Sequence, residues 1–247
     1  MEIPDVAVEA ARREVAHLLS NAFEVLAHGI GLHRRDLLSE APLSTILARR
    51  SRPPPIDIDE RYERTVRPLA AAILTYTSKA QGVVEDGAAE DLFALRSACR
   101  QIVEAVKGVK HLNKNLSRHM HAPNDDLRRQ YDAIRLQLGE VLRQVVGVDV
   151  PTVDAVTALS LDDAKLDVVK FDERMTEAMT ALIREDRIPH DLTTSLLNDA
   201  HYATEVALNL LSVLQVLKSV GTTDTRAARS DMALDSAELR SIDEPDA

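Results

Sequence analysis

Apolar residues recur at steps of three and four along nearly the whole chain, and this spacing constrains the fold more than any other feature. Such steps put side chains on one face of an α-helix, whereas a half-buried strand needs strict alternation. Val8, Ala11, Val15, Leu18, Ala22 and Val25 open the pattern and predict a helix from Asp5 to Gly29, ended by Gly29 and Gly31. A second helix starts at Asp57 or Asp59, either of which can cap it. Its seam runs through Tyr62, Val66, Leu69, Ile73, Tyr76, Ala80 and Val83 to a stop at Gly87. Pro68 interrupts that seam, so a kink or a late start is expected there.

The third helix spans Ala88 to His121, with Leu92, Leu95, Cys99, Ile102, Val106, Val109, Asn113, Leu116 and Met120 on one face. After a break at Pro123, Asn124 caps a fourth helix from Asp125 to Val146, with Leu127, Tyr131, Ile134, Leu138, Val141 and Val145 as its seam. Gly147 to Ser160, with Pro151 inside, reads as a linker. The fifth helix starts at Leu161 with Ser160 as its cap and turns Ala164, Val168, Phe171, Met175, Ala178 and Leu182 inward. The sixth follows Pro189, carries Leu196, Ala200, Ala203, Ala207, Leu210, Leu214 and Leu217, and stops at Gly221.

Six long helices imply an all-α fold with antiparallel packing, and the scarcity of aromatics (3%, no Trp) suits helix–helix contact. The natural division is two three-helix bundles, 1–122 and 123–221. Residues 33–55, with Arg34, Arg35, Arg49, Arg50 and Arg52, read as a solvated basic linker within the first, and contact with acidic lipid headgroups is the alternative. The acidic tail 222–247 is expected to be mostly disordered, with one short helix near Met232 to Arg240.

A formal net charge of −10 disfavours nucleic acid as a partner, because phosphate-backbone binding needs a basic surface. Cys99 is the single cysteine, so no internal disulfide forms, which fits a reducing, cytoplasmic setting. Its place on a seam predicts a buried, inert thiol. No stretch of about 18 apolar residues occurs, and the N-terminus lacks the apolar core of a signal peptide.

One flank of the third helix carries Lys107, Lys110, Lys114 and Arg118. Such a flank is ordinarily a solvated face, and the alternative is an anionic partner, either phosphate or an acidic protein surface. Asn113 within the seam sets register between helices at some cost in stability. His111, His119, His121, His190 and His201 have no metal-finger spacing. There is no glycine-rich phosphate loop, no G-x-S-x-G elbow and no nucleophile–base–acid triplet, so no catalytic residue is assigned.

Four strings occur in order: DIDERYERTVRPL from Asp57, LFALRSACRQIVEAVK from Leu92, EAVKGVKHLNKNLSRHM with the APN, RR, YD and IR that follow, and LIREDRIPHDLTTSLLNDAHYATEVALNLL from Leu182. Together they run as far as Leu211, and they resemble the cytosolic C-terminal region of the bacterial sodium/phosphate cotransporter family, a likeness that covers the chain up to about Val220. That region is similar to PhoU, whose fold is two three-helix bundles. The resemblance implies a non-enzymatic regulatory or interaction domain tied to sodium-dependent phosphate transport; the residues themselves assign no cofactor, with a transition metal as the alternative. It also implies a membrane phosphate transporter or its transport domain as partner, met at the inner face of the membrane, and leaves room for a homodimer. In that family the region follows a transport domain, so this chain is either a separate polypeptide or a fragment.

PhoU-like proteins hold metal clusters through acids four residues apart. In the third helix the matching positions are Val106 and Lys110, neither of which ligates a cation. In the sixth they are His201 and Glu205, a pair able to take part in a transition-metal site. Asp163 and Asp167 share the spacing but read as a solvated face. Lys110 is therefore expected to replace the metal's charge by pairing with Glu205 or Asp199. The two other readings are a metal-binding phosphate-signalling sensor built on His201 and Glu205, and a structural helical scaffold without a ligand.

Overall fold

Breakers between the apolar runs divide the chain into helices. The protein, seen in a computed structural model, is described over residues 3–49, 56–82, 84, 86–146 and 155–220. In order these are α1 (Ile3–Gly29), α2 (Arg34–Leu38), α3 (Leu43–Ala48), α4 (Ile58–Arg61), a π-helical turn (Tyr62–Val66), α5 (Arg67–Gln81), α6 (Asp86–His119), α7 (Asp125–Val146), α8 (Ala155–Arg184) and α9 (His190–Ser219). Among the described residues no strand occurs, and no helix is long and apolar enough to cross a membrane.

The most extensive helix–helix contact joins α6 to α9; α1 and α5 pack on α6, while α7 and α8 pack on α9. Successive long helices run in opposite directions. The Tyr76 hydroxyl of α5 reaches the Ala7 carbonyl near the start of α1, whereas Ile58 of α4 lies at Gly29, the end of α1. One continuous core results, with Leu18, Leu26, Leu95, Ile102, Leu112 and Leu210 fully buried. Its thickness is set where glycines let backbones meet. A Cβ on Gly108 would lie 2.6 Å from Val206 Cγ2, and one on Gly29 would lie 2.2 Å from Val109 Cγ1.

Pro68 has the expected effect. The chain winds through a π-helical turn just before it, and the Arg67 N–H donates to the Tyr62 carbonyl five residues back. A π-turn of this kind absorbs the hydrogen bond that proline cannot make. Asp57 is the cap of α4, its carboxylate accepting the Glu60 N–H at 2.9 Å. Asn124 caps α7, its side-chain oxygen accepting the Asp126 and Leu127 N–H groups, each at 2.9 Å. At the end of α1, Leu32 N–H bonds Ala27 O and Gly31 N–H bonds His28 O, both at 2.9 Å, with Gly31 at φ 74°. This is the Schellman arrangement, whose left-handed residue favours glycine.

Three expectations are corrected. α5 ends at Gln81 with Gly82 after it, and Gly87 lies in the first turn of α6, where an added Cβ would meet nothing within 4 Å. α8 begins at Ala155 rather than Leu161, so Ser160 is inside the helix and does not cap it. Residues 33–49 are not a solvated linker: they form α2 and α3 and bury Leu37, Leu43, Ile46 and Leu47. The side chains of Leu43 and Leu32 occupy the dent left by Gly139 on α7. The linker at 147–154, residues 50–55 and the tail 222–247 lie outside the described residues.

Gly31→Ala forces an L-residue into the left-handed region, and a loss of about 1–2 kcal/mol in urea unfolding is expected. Gly87→Ala, at the open position in α6, is expected to show no loss in the same titration.

Candidate functional site

The cationic flank lies on the outward side of α6. Lys107, Lys110, Lys114 and Arg118 are all exposed. Half of it is neutralised within the fold: Lys107 Nζ lies 2.8 Å from Glu104 Oε1, and Lys110 Nζ lies 2.5 Å from Asp59 Oδ1 on α4. Lys110 therefore pairs with neither Glu205 nor Asp199. The reason is helical geometry, because a residue two positions after Gly108 points about 200° away from the α9 side. Lys114 and Arg118 form no ion pair among the described residues.

Beside this flank, His111 stacks on Tyr202 of α9 with ring centroids 4.9 Å apart, and His201 stands 6.4 Å from the same ring. His201 and Glu205 are both exposed, Val106 is buried in the core, and Asp163 and Asp167 are exposed on α8. Among the described residues no group of three or more His, Cys, Asp or Glu side chains converges as a metal site would require.

Polar chemistry concentrates instead in the interior, where α6, α7 and α9 meet. Asp199 of α9 is 2% exposed and accepts the Tyr131 hydroxyl of α7 at 2.7 Å. The Asn115 side chain of α6 also bonds this carboxylate. His119, at the end of α6, stacks on the Tyr131 ring at 5.4 Å. Burial pushes the Asp199 carboxyl above its ordinary range, opposed by the Tyr131 and Asn115 donors and by His119. Burial likewise pushes the Tyr131 phenol up, helped by Asp199. Burial lowers His119, reinforced by Arg118 and opposed by Asp199. A phenol, an amide and a carboxyl thus satisfy one another between three helices, with the His119 ring stacked on the phenol.

A second polar constellation holds the end of α1. The Asn113 amide donates to Gly29 O at 2.8 Å. The Arg135 guanidinium of α7 donates to Ile30 O at 3.0 Å, to Gly31 O at 3.1 Å and to Asp132 at 3.0 Å. Arg135 is 6% exposed, and burial lowers its pKa, opposed by Asp132. Two turns on, Arg143 donates to the carbonyls of Asp36, Ser39 and Ala41 and fastens α2 and its following loop to α7. At the other end of α7, Asn124 donates to Arg187 O at 2.7 Å, and Arg187 pairs with Asp126. Cys99 is a fully buried thiol, pushed up to about 11 by desolvation.

No protein family, curated protein or solved structure matches this chain.

Asn113 ties α6 to the end of α1 through the Gly29 carbonyl, and Asp199 lies in a helix junction rather than opposite Lys110. Arg135, Arg143 and the Tyr131–Asn115–His119 set were not singled out from sequence. A signal for Arg135 exists. It sits four residues after Tyr131 and four before Gly139, on the α7 stripe that faces inward.

Two outcomes follow from these contacts. Arg135→Met leaves the Ile30 and Gly31 carbonyls without their donor, and a loss of about 2–4 kcal/mol is expected by urea unfolding. Because the native Asp199 carboxyl titrates above its unfolded value, the stability it contributes is fully present below pH 3.8 and is lost as pH rises through the native value. Tyr131→Phe removes a donor that opposes this rise. Its penalty should be larger at pH 7, at about 1–3 kcal/mol, than at pH 4. A penalty equal at both pH values would show that the bond does not favour the carboxylate form over the protonated one.

Proposed function

We propose that this protein is a non-enzymatic, PhoU-like interaction domain that takes part in the regulation of phosphate transport, contacting its partner through the uncovered face of the α6–α9 pair. In this reading α1, α4–α5 and α6 form one three-helix bundle, and α7, α8 and α9 form the other. The observation that carries it is the central antiparallel α6–α9 pair, each member backed by the two other long helices of its own half. The ordered strings from Asp57 to Leu211 add the resemblance to the cytosolic region of sodium/phosphate cotransporters. The two halves are not independent, since α2 and α3 belong to the first in sequence yet pack on α7 of the second.

The uncovered face supplies the chemistry of contact. Lys114 and Arg118 are exposed beside the stacked His111–Tyr202 pair, so cations and a flat aromatic surface lie together. Such a face suits a partner with an acidic surface, with attraction that weakens as salt rises. Regulation by contact requires no reacting group.

Affinity capture from membrane extracts at low salt tests this. A membrane phosphate transporter or a component of phosphate signalling should be retained by the wild-type chain and reduced several-fold by Lys114→Glu with Arg118→Glu. Retention of neither class of protein, or retention unchanged by the charge reversal, would overturn the proposal.

A further inference from the structure

We propose that the pocket between α2 and α3 binds a phosphate group, held between the guanidinium groups of Arg35 and Arg49. The site lies on a different face from the α6 contact and does not depend on it.

The two short helices contact each other and α7, and they border a pocket of about 350 Å³. Arg35 of α2, Arg49 at the end of α3 and Asp36 line it, with Ala41 and Ile46 as apolar wall. A volume of this size lies within the range of small-ligand sites. Its frame is fixed from behind. Arg143 of α7 donates to the carbonyls of Asp36, Ser39 and Ala41 at 3.3, 3.0 and 2.6 Å, and Ile46 is buried in the core. Such a rim needs little ordering when a ligand enters.

The charges around the pocket select the ligand. Arg35 and Arg49 are exposed and form no ion pair among the described residues, on a chain with a formal net charge of −10. Asp36 beside them is already engaged, because its Oδ2 accepts the His33 N–H at 2.9 Å. Arg34 lies over the Phe23 ring, 5.1 Å from its centroid. A carboxylate offers two oxygens and is filled by one guanidinium fork. A phosphate monoester offers three terminal oxygens and a charge of about −1.5 to −2, enough for forks from two helices at once. A soluble phosphate ester and an anionic lipid headgroup both present this group. Leu38, 54% exposed and three residues after Arg35 on the same face of α2, is the side chain that enters the bilayer interface if the source is a lipid.

Two titrations of the full chain test the site and separate the sources. Inorganic phosphate is added at constant ionic strength while the amide signals of residues 33–49 are followed. Flotation is measured with phosphatidylcholine vesicles with and without phosphatidic acid. At least one arm should show saturable binding, weakened about tenfold or more by Arg35→Glu with Arg49→Glu. Arg174→Glu, at an exposed position of α8, should leave it unchanged. Arg35→Lys with Arg49→Lys keeps the charge, loses the forks and should retain only part of the affinity. Binding of inorganic phosphate assigns the soluble source. Binding confined to vesicles with phosphatidic acid, and reduced by Leu38→Ser, assigns the lipid. The proposal is overturned by no binding in either arm, by binding indifferent to the Arg35 and Arg49 charge reversal, by an equal loss in Arg174→Glu, or by full binding with lysine at both positions. The last two would reduce the pocket to diffuse surface charge.

Discussion

The arrangement of this protein depends on how closely α6 approaches two neighbours at adjacent residues. Val109 pushes a methyl into the space that Gly29 leaves on α1, and Gly108 leaves the space that Val206 of α9 fills. Adjacent positions on a helix point about 100° apart, so a single turn of α6 fixes both the α1 and the α9 directions. An axial slip of α6 would drive Val109 into the α1 backbone and lift Val206 from its seat together. One turn later Asn113 donates to the Gly29 carbonyl and pins the same register with a directional bond. Close packing makes the register costly to change, and the hydrogen bond makes it unique.

The polar interior extends this logic to α7 and α9. A helix C-terminus exposes carbonyls that need donors, and α1 ends where water has little access. Two of those donors come from Arg135, whose charge is buried along with the helix end it serves. Burying an arginine yields little net stability over a well-packed apolar residue, but removing only that residue leaves carbonyls orphaned. Asp199 follows the same rule with the opposite charge, held by Tyr131 and Asn115. Each group is useful for the particular neighbour it selects. Arg135 joins α7 to α1, and Asp199 joins α9 to α6 and α7.

Where a breaker and a cap coincide, the helix ends were legible in the sequence. Asn124 after Pro123 fixed the start of α7 at Asp125, and Pro189 marked the start of α9. Where two breakers compete, the sequence does not rank them. Gly82 and Gly87 both follow the second seam, and the first turn of a helix tolerates a glycine, so Gly87 belongs to α6. Ser160 failed as a cap signal because the chain before it, from Ala155, was already helical. For 33–49 the arginines dominated the reading, although Leu37, Leu43, Ile46 and Leu47 decide the packing. The Lys110–Asp59 pair was out of reach for a different reason. It joins distant parts of the chain, and only the rotation of α6 about its axis determines which neighbour Lys110 meets.

That rotation also bears on why α6 carries so many cations. A cation near a helix C-terminus complements the macrodipole, which accounts for Arg118 in the last turn of α6. The effect fades within one turn, so it leaves Lys107, Lys110 and Lys114 without a reason. These residues are also unfavourable neighbours. Lys110 with Lys114, and Lys114 with Arg118, are like-charge pairs four residues apart, each costing about 0.2–0.5 kcal/mol on an isolated helix. Glu104 and Asp59 offset the first half of the row. The second half has no such partner among the described residues, on a chain whose formal net charge is −10 and which has anions to spare. Half of a row of cations that its own helix disfavours is matched by carboxylates within the fold, and Lys114 and Arg118 are the part of it on which the proposed contact rests.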